Sequence, residues 1–427
     1  MRARACRISS EQDDSEKPQT SEKERRMSSG KYPLDGIMVV DFTQTIAGPF
    51  CTMVLAELGA EVIKVEEPRT GDETRTWPPS LGEESGYFFS VNRSKRSIAV
   101  NLKDPRGKES VLSLAKKSDV IVENFTPGVI SRLGLDYPTV SEMNPGVVYC
   151  SISAFGQSGP YWNKKAYDPI MQAMGGIMSV TGEIGGPPVK VGIPITDFIT
   201  ALYSVIAITV ALSERRESGK GQYLDISMFE STISVLSFIG AFYLYEGKVP
   251  KAFGSGNPSR VPSANYLTKD GRYIHIVPSA LQWKTFCDAI GLKELGENPE
   301  YDTNIKRIAH REEIDRLIQE KISQRTVEEW VKIFDEKGIT SGPVYNMEQI
   351  FKDPHVAARK ILEEMDHPRH GSIQSIRLPY GSCGFKSGIK APAPLLGEHS
   401  REILSGLLGY TEERIAQLLA EGVINAP

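Results

Sequence analysis

The chain has 427 residues, 40% hydrophobic and 24% charged, with a formal net charge of −4. At about 150 residues per domain this length gives two or three compact units, and the composition allows a large buried core. The near-balanced charge excludes a global pull toward nucleic acid or an anionic membrane, so local basic residues must hold any anionic ligand.

The first 33 residues stand apart. Arg2, Arg4 and Arg7 precede a polar run of Glu, Asp, Lys and Ser that extends to about Gly30. This reads either as a disordered tail or as the remnant of a mitochondrial presequence, whose Arg-rich, acid-poor character only the first ten residues match. The expected location is the mitochondrial matrix, with the cytoplasm as the alternative. Asn425-Ala426-Pro427 is not a peroxisomal address.

From Leu34 the pattern is regular. Ile37–Phe42 reads as a buried strand, Gly48–Leu58 as a helix ended by Gly59, and Glu61–Val65 as a second strand, a spacing that implies a parallel βαβ unit. A helix over Arg106–Lys117, a strand over Val120–Val122 and a strand over Val147–Ile152 continue the alternation. Between those strands a further helix is expected, capped by Thr126 with Pro127 at its first position. The expected fold is α/β: a doubly wound, mostly parallel Rossmann-like large domain over residues 34–222, with ligands at the carboxyl ends of its strands.

Two apolar helices follow, about Thr196–Arg215 and Ile226–Tyr245, around the turn Gly219-Lys220-Gly221. The apolar run Phe198–Leu212 is shorter than the roughly 18 residues of a membrane span, and Glu230 interrupts the second helix. Both read as core helices, and no membrane insertion is expected. Residues 223–250 read as a connecting helix. Residues 251–335 read as a smaller α+β domain with a hairpin over Asn265–Val277, turning at Lys269-Asp270-Gly271, and charged helices from Thr303 to Lys337. Residues 336–427 return to complete the large domain and close with an amphipathic helix over Glu412–Glu421.

Several chemistries lack their motifs. There is no P-loop, G-x-S-x-G elbow or H-E-x-x-H, and Gly254-Ser255-Gly256 lacks the third glycine of a dinucleotide fingerprint. The cysteines Cys6, Cys51, Cys150, Cys287 and Cys383 form no C-x-x-C pair and read as reduced thiols. The six histidines show no ligand spacing; His367 and His370 read as surface residues of a loop, and no metal is expected. Asp197 stands where a long apolar run begins, either as a helix N-cap or as a nucleophile held with limited hydration. Lys95 and Arg96 belong either to a solvated loop or to an anion site.

Other strings gain meaning in combination: Ala47-Gly48-Pro49; Gly71-Asp72 with Arg75; Asn92 through Ser97; Glu123-Asn124-Phe125 leading to Arg132-Leu133-Gly134; Phe155-Gly156-Gln157 before Tyr167-Asp168; Asp197; Gly219 through Gln222; and Pro394 through His399. In this order and spacing they resemble the class III CoA-transferase family, which includes formyl-CoA transferase, carnitine CoA-transferase and α-methylacyl-CoA racemase, from Leu34 to about Ile424. The resemblance implies CoA thioesters as substrates, no permanently bound cofactor, no metal and an interlocked homodimer.

It also aligns Asp197 with the catalytic aspartate. CoA contacts are implied at Ala47, Lys95, Asn124, Phe125, Arg132 and the turn Ser153, Ala154, Phe155, Gly156, with Arg96 as a further charge. Gly254, Ser255, Gly256 and Asn257 stand in the place of a glycine-rich substrate loop, and Arg260 is a candidate partner for a second substrate carboxylate. Ile46 departs from the family pattern, since formyl-CoA transferase has a glutamine there. The implied reaction moves CoA from succinyl-CoA to glutarate or a similar dicarboxylate through aspartyl mixed-anhydride and aspartyl-CoA intermediates. Two rival readings are a racemase and a non-catalytic CoA-binding protein. The related racemases carry a histidine where this chain has Tyr167, whose ordinary pKa of about 10 makes it a poor base; the presence of Asp197 argues against the second rival.

Overall fold

The computed structural model describes residues 31–427 apart from Ser382, so the leader expected over residues 1–33 lies almost entirely outside the described residues. Six parallel strands form the centre: β1 (Met38–Asp41), β2 (Glu61–Glu66), β3 (Arg96–Val100), β4 (Val120–Glu123), β5 (Val148–Ser153) and β6 (Gln222–Ser227). Their order is 3-2-1-4-5-6, and Ile424–Asn425 adds an antiparallel edge to β3. All five internal pairings are parallel. The order reverses between β1 and β4, which places the topological switch point there.

The sheet is buried on both faces, which is why its strands read as continuous Val/Ile runs. Alternate residues serve opposite layers. Val39, Val62 and Val120 pack with Val54 and Leu55 of helix α1 (Ala47–Glu57) and with Ala201, Val205 and Ile208 of helix α5 (Ile195–Ser218). Val40, Ile63 and Ile121 face Val111 and Leu114 of α2 (Pro105–Lys117) and Ile415 and Leu418 of the C-terminal helix Glu412–Ala420. This is the expected doubly wound α/β arrangement.

Four local expectations are corrected. The helix expected at Thr126-Pro127 begins instead at Val129, as α3 (Val129–Leu133), because Gly128 takes the N-cap with a left-handed φ of 84°. The segment Arg96–Val100 is strand β3, so Arg96 lies on a strand and not in a solvated loop. Ile226 belongs to β6 rather than to a helix, and the apolar stretch beyond it forms two helices, α6 (Met228–Ser234) and α7 (Ser237–Glu246), bent by 74°. Ser227 ends the strand by accepting the Glu230 amide. Neither helix is a simple core helix: α7 exposes Phe238, Tyr243, Leu244 and Tyr245, and one side of α5 exposes Ile206 and Val210. By length and composition α5 is apolar enough to cross a membrane, but its other side is packed against α1 and the sheet.

A second core lies beyond α7. The hairpin Ala264–Leu267/Tyr273–Ile276 and the strand Ser341–Pro343 form a small antiparallel sheet, and the helices Arg311–Ile322 and Val327–Glu336 cover it around Trp283, Phe286, Trp330 and Phe334.

Candidate active site

A cavity of about 240 Å³ opens at the carboxyl ends of β1, β4 and β5, at the switch point. The loop after β1 contributes Gln44 through Ala47, the loop after β4 contributes Asn124 through Pro127, and β5 ends in Ser153 and Ala154. Asp197, in the first turn of α5, completes the wall. Six of the expected catalytic and CoA-contact residues therefore meet in one place, Ala47, Asn124, Phe125, Ser153, Ala154 and Asp197, and Ile46 and Tyr167 join them.

Local geometry explains several of them. Asn124 clamps the loop after β1, donating from Nδ2 to the Gln44 carbonyl at 2.8 Å and accepting the Gln44 amide at 2.9 Å. Gly48 lets that loop turn into α1, because a Cβ there would lie 2.3 Å from Cβ of Thr43. The turn after β5 is closed by the Gly156 amide donating to Ser153 Oγ at 3.0 Å. Phe155 packs edge-on against Tyr161 and at a tilt against Phe229.

Asp197 is 8% exposed and its carboxylate has no hydrogen-bond or ion-pair partner among the described residues. Burial, and then the neighbouring Asp168, push its carboxyl up to about 7. The edge-on pair of Phe50 and Phe198, with centroids 4.8 Å apart, forms an apolar patch next to it. Asp197 is not an N-cap. Asp168, the first residue of α4 (Asp168–Met174), takes that role by accepting the Thr196 amide at 3.0 Å and its hydroxyl at 2.7 Å. A buried carboxylate without a hydrogen-bond partner is poorly solvated, which disfavours its charged form.

Two expected phosphate ligands are elsewhere. Lys95 is fully buried: its Nζ lies 3.0 Å from Asp41 Oδ2 and also donates to the Pro49 carbonyl and to Asn92 Oδ1. It is thus neither a solvated loop residue nor a cation facing the cavity, because an ammonium taken out of water requires such partners. Arg96, the first residue of β3, pairs with Glu61 and, at 3.1 Å, with Glu402, and lines a different cavity with Lys390 and His399. Arg132 is exposed on α3 and pairs with no acidic group among the described residues. Gly254, Ser255 and Gly256 line a separate cavity with Glu183, Tyr266 and Arg311, tied to the large unit by the Gly254 amide donating to the Gly182 carbonyl. Asn257 bridges to Arg260, whose guanidinium donates to the Pro278 carbonyl.

Sequence reasoning missed the cavity's own cations. Lys164 and Lys165 line it and are exposed, with the Lys164 ammonium 3.9 Å above the Tyr161 ring. The signal was a dibasic pair shortly before Asp168, among aromatic residues. The surface reading of His367 and His370 is also corrected. His367 is buried and stacked on His370, and Glu84 draws both inward, with His370 Nε2 2.5 Å from its Oε2. The Arg369 amide donates to His367 Nδ1, which leaves the ring proton of neutral His367 on Nε2.

Comparison with known proteins fits this geometry. The family description "CoA-transferase family III" matches residues 34–400. The chain belongs to CoA-transferase family III. It is similar to succinyl-CoA:glutarate CoA-transferase of Homo sapiens, 40% identical over 394 residues, covering 92% of this chain and 90% of the relative. The succinate–glutarate CoA-transferase of Agrobacterium fabrum is 35% identical over 397 residues, covering 91% and 99%. Among solved structures, a CAIB/BAIF family protein from Brucella suis superimposes with a TM-score of 0.79 at 35% identity, covering 88% of this chain and 99% of that one. The chain is a CoA-transferase.

Proposed function

We propose that this transferase moves CoA from succinyl-CoA to glutarate or a similar dicarboxylate, with Asp197 as the nucleophile. The observation that carries the reading is the unpartnered, nine-tenths-buried Asp197 carboxylate in the wall of the switch-point cavity. The carboxylate attacks the donor thioester, giving a mixed anhydride and CoA thiolate. The thiolate attacks the aspartyl carbonyl, releasing succinate and leaving an aspartyl-CoA thioester. The acceptor carboxylate then attacks that thioester, and CoA returns to form the new acyl-CoA. Thioester energy is conserved at each step, so no nucleotide is consumed.

The pantetheine thiol end enters between Ala47 and the Ser153–Gly156 turn, with Asn124, Phe125 and Arg132 along the CoA path and Lys164 and Lys165 as its nearest cations. Dicarboxylate use is supported by the names of the similar human and bacterial enzymes. Arg260 and the Gly254–Asn257 loop stand apart from Asp197 within one chain. Their role at the substrate therefore requires a second chain, and the exposed apolar sides of α5 and α7 support a homodimer. We assign the protein to the mitochondrial matrix on the Arg-rich start of the leader; a fusion of residues 1–33 to a fluorescent protein tests that.

The deciding experiment incubates the protein with succinyl-CoA and hydroxylamine, then maps the modified peptide by mass. Modification at Asp197, and its loss in Asp197→Asn, is the expected result. Transfer that persists in Asp197→Ala would overturn the nucleophile. Glutarate should be a much better acceptor than butyrate, since an unpaired second carboxylate entering a closed site is costly; equal rates would overturn the dicarboxylate reading alone.

A further inference from the structure

Beneath the cavity wall lie two buried lysine–aspartate pairs. Lys64, on β2, has no exposed side chain; its Nζ is 2.9 Å from Asp72 Oδ2 and donates to the Thr43 carbonyl at 2.6 Å. Asp41, paired with Lys95, accepts the Thr43 amide at 2.8 Å. Asp72 Oδ1 accepts the Thr74 amide and hydroxyl and reaches the Thr45 amide at 3.4 Å. These contacts converge on residues 43–45, the segment that joins β1 to α1.

Thr45 within that segment has a φ of 71°. A left-handed backbone is strained for a β-branched residue and persists only where the surroundings enforce it. Thr45 also lines the cavity, and its hydroxyl donates to Glu73 at 3.0 Å. Immediately after it, α1 opens with no side-chain cap, and the amides of Ile46, Ala47 and Gly48 have no acceptor among the described residues. Ile46 and Ala47 share the cavity with Asp197, the buried carboxylate without a partner. The positive end of an 11-residue helix and a bare nucleophile thus front the same space.

We propose that Lys64 and Asp72 are positioning residues for CoA transfer: their ion pair locks Thr45 in its left-handed turn and so aims the uncapped start of α1 at the reacting carbonyl. The inference rests on Asp197 being the nucleophile. As its carboxylate oxygen adds to the thioester carbon, the carbonyl π pair moves to oxygen, and the tetrahedral oxyanion collapses by expelling CoA thiolate. The helix amides meet the charge that develops on that oxygen.

Removing both members of a buried pair spares the fold an unpaired charge, so the test begins with Lys64→Met/Asp72→Ala. With the far-ultraviolet circular dichroism spectrum retained, kcat should fall on the order of 100-fold, the scale of a small misplacement of reacting groups. The KM for succinyl-CoA should change less. Adding Thr45→Gly, which adopts the left-handed turn without strain, should restore at least tenfold in kcat without raising the Tm. A role in stability alone would move the Tm and give no such rescue.

If the double variant does not fold, Asp72→Asn replaces it. An amide offers one acceptor where the carboxylate offers two, so Lys64 and Thr45 cannot both be held, and Thr45→Gly should again rescue kcat. Wild-type kcat in the double variant, or no rescue in either background, overturns the lock. Asp197→Ala assayed alongside separates the two failures: activity there defeats the nucleophile reading, whereas an inactive Asp197→Ala beside a fully active lock variant defeats only the lock.

Discussion

Asp41 and Asp197 are both buried at the carboxyl ends of the sheet, 0% and 8% exposed, yet their carboxyls move in opposite directions. For Asp41 burial acts upward, but Lys95, then Lys64 and the hydroxyls of Thr43 and Thr52, outweigh it and hold the group below its usual range. Asp197 has burial and the repulsion of Asp168 with nothing to oppose them, and rises to about 7. Burial is common to both; the partners decide whether a carboxylate serves as scaffold or is left available for chemistry.

The largest effect that tests the contrast is Asp197→Ala. Transfer should fall on the order of 10⁴-fold or more, as when a covalent nucleophile is removed, in a chain that still binds CoA by calorimetry. The scaffold side predicts the reverse pattern. Lys95→Ala leaves Asp41 buried without its cation and should cost about 3–5 kcal/mol of stability by denaturant titration, whereas truncating a surface phosphate ligand would leave stability unchanged. Asp197→Asn should stabilise the protein instead. The folded state binds the Asp197 proton more tightly than the unfolded state does, so the carboxylate's burden grows from about pH 4 to pH 7 and is then constant. The asparagine variant should therefore gain a few kcal/mol at pH 8 and little at pH 4.

The same raised pKa shapes the rate. The nucleophile is the carboxylate, so kcat/KM should climb with pH through about 7 and level off above it; a profile flat from pH 5.5 to 8.5 would show that Asp197 ionises like an ordinary surface carboxylate. The smallest effects belong to exposed cations. Arg132→Ala and Lys165→Ala should each raise the KM for acyl-CoA by about tenfold, with smaller changes for the acceptor acid. An unchanged KM in both would remove them from the CoA path.

Much of this was written locally. The Val/Ile runs of β1, β2, β4 and β5, the helix stop at Gly59 and the amphipathic Glu412–Ala420 each follow from a period or a stop signal within a few residues. Strand β3 escaped because Lys95 and Arg96 made its start look like a solvated loop. β6 escaped because an apolar run beside a strand end gives no local sign of where the strand stops. The bend between α6 and α7 has no Pro or Gly to announce it.

The sequence by itself determined the doubly wound α/β class, the family-like strings and Asp197 as the residue most worth testing, because those depend on residue type and short spacing. The tertiary structure alone decided which charges are paired. Lys95 meets Asp41 across 54 positions, and Lys164 and Lys165 reach the cavity only because the loop after β5 folds back over it. Whether a lysine becomes an anion site or a buried counter-ion depends on which groups the fold places within about 4 Å, and Coulomb energies at that range are set by local burial rather than by neighbours in the chain.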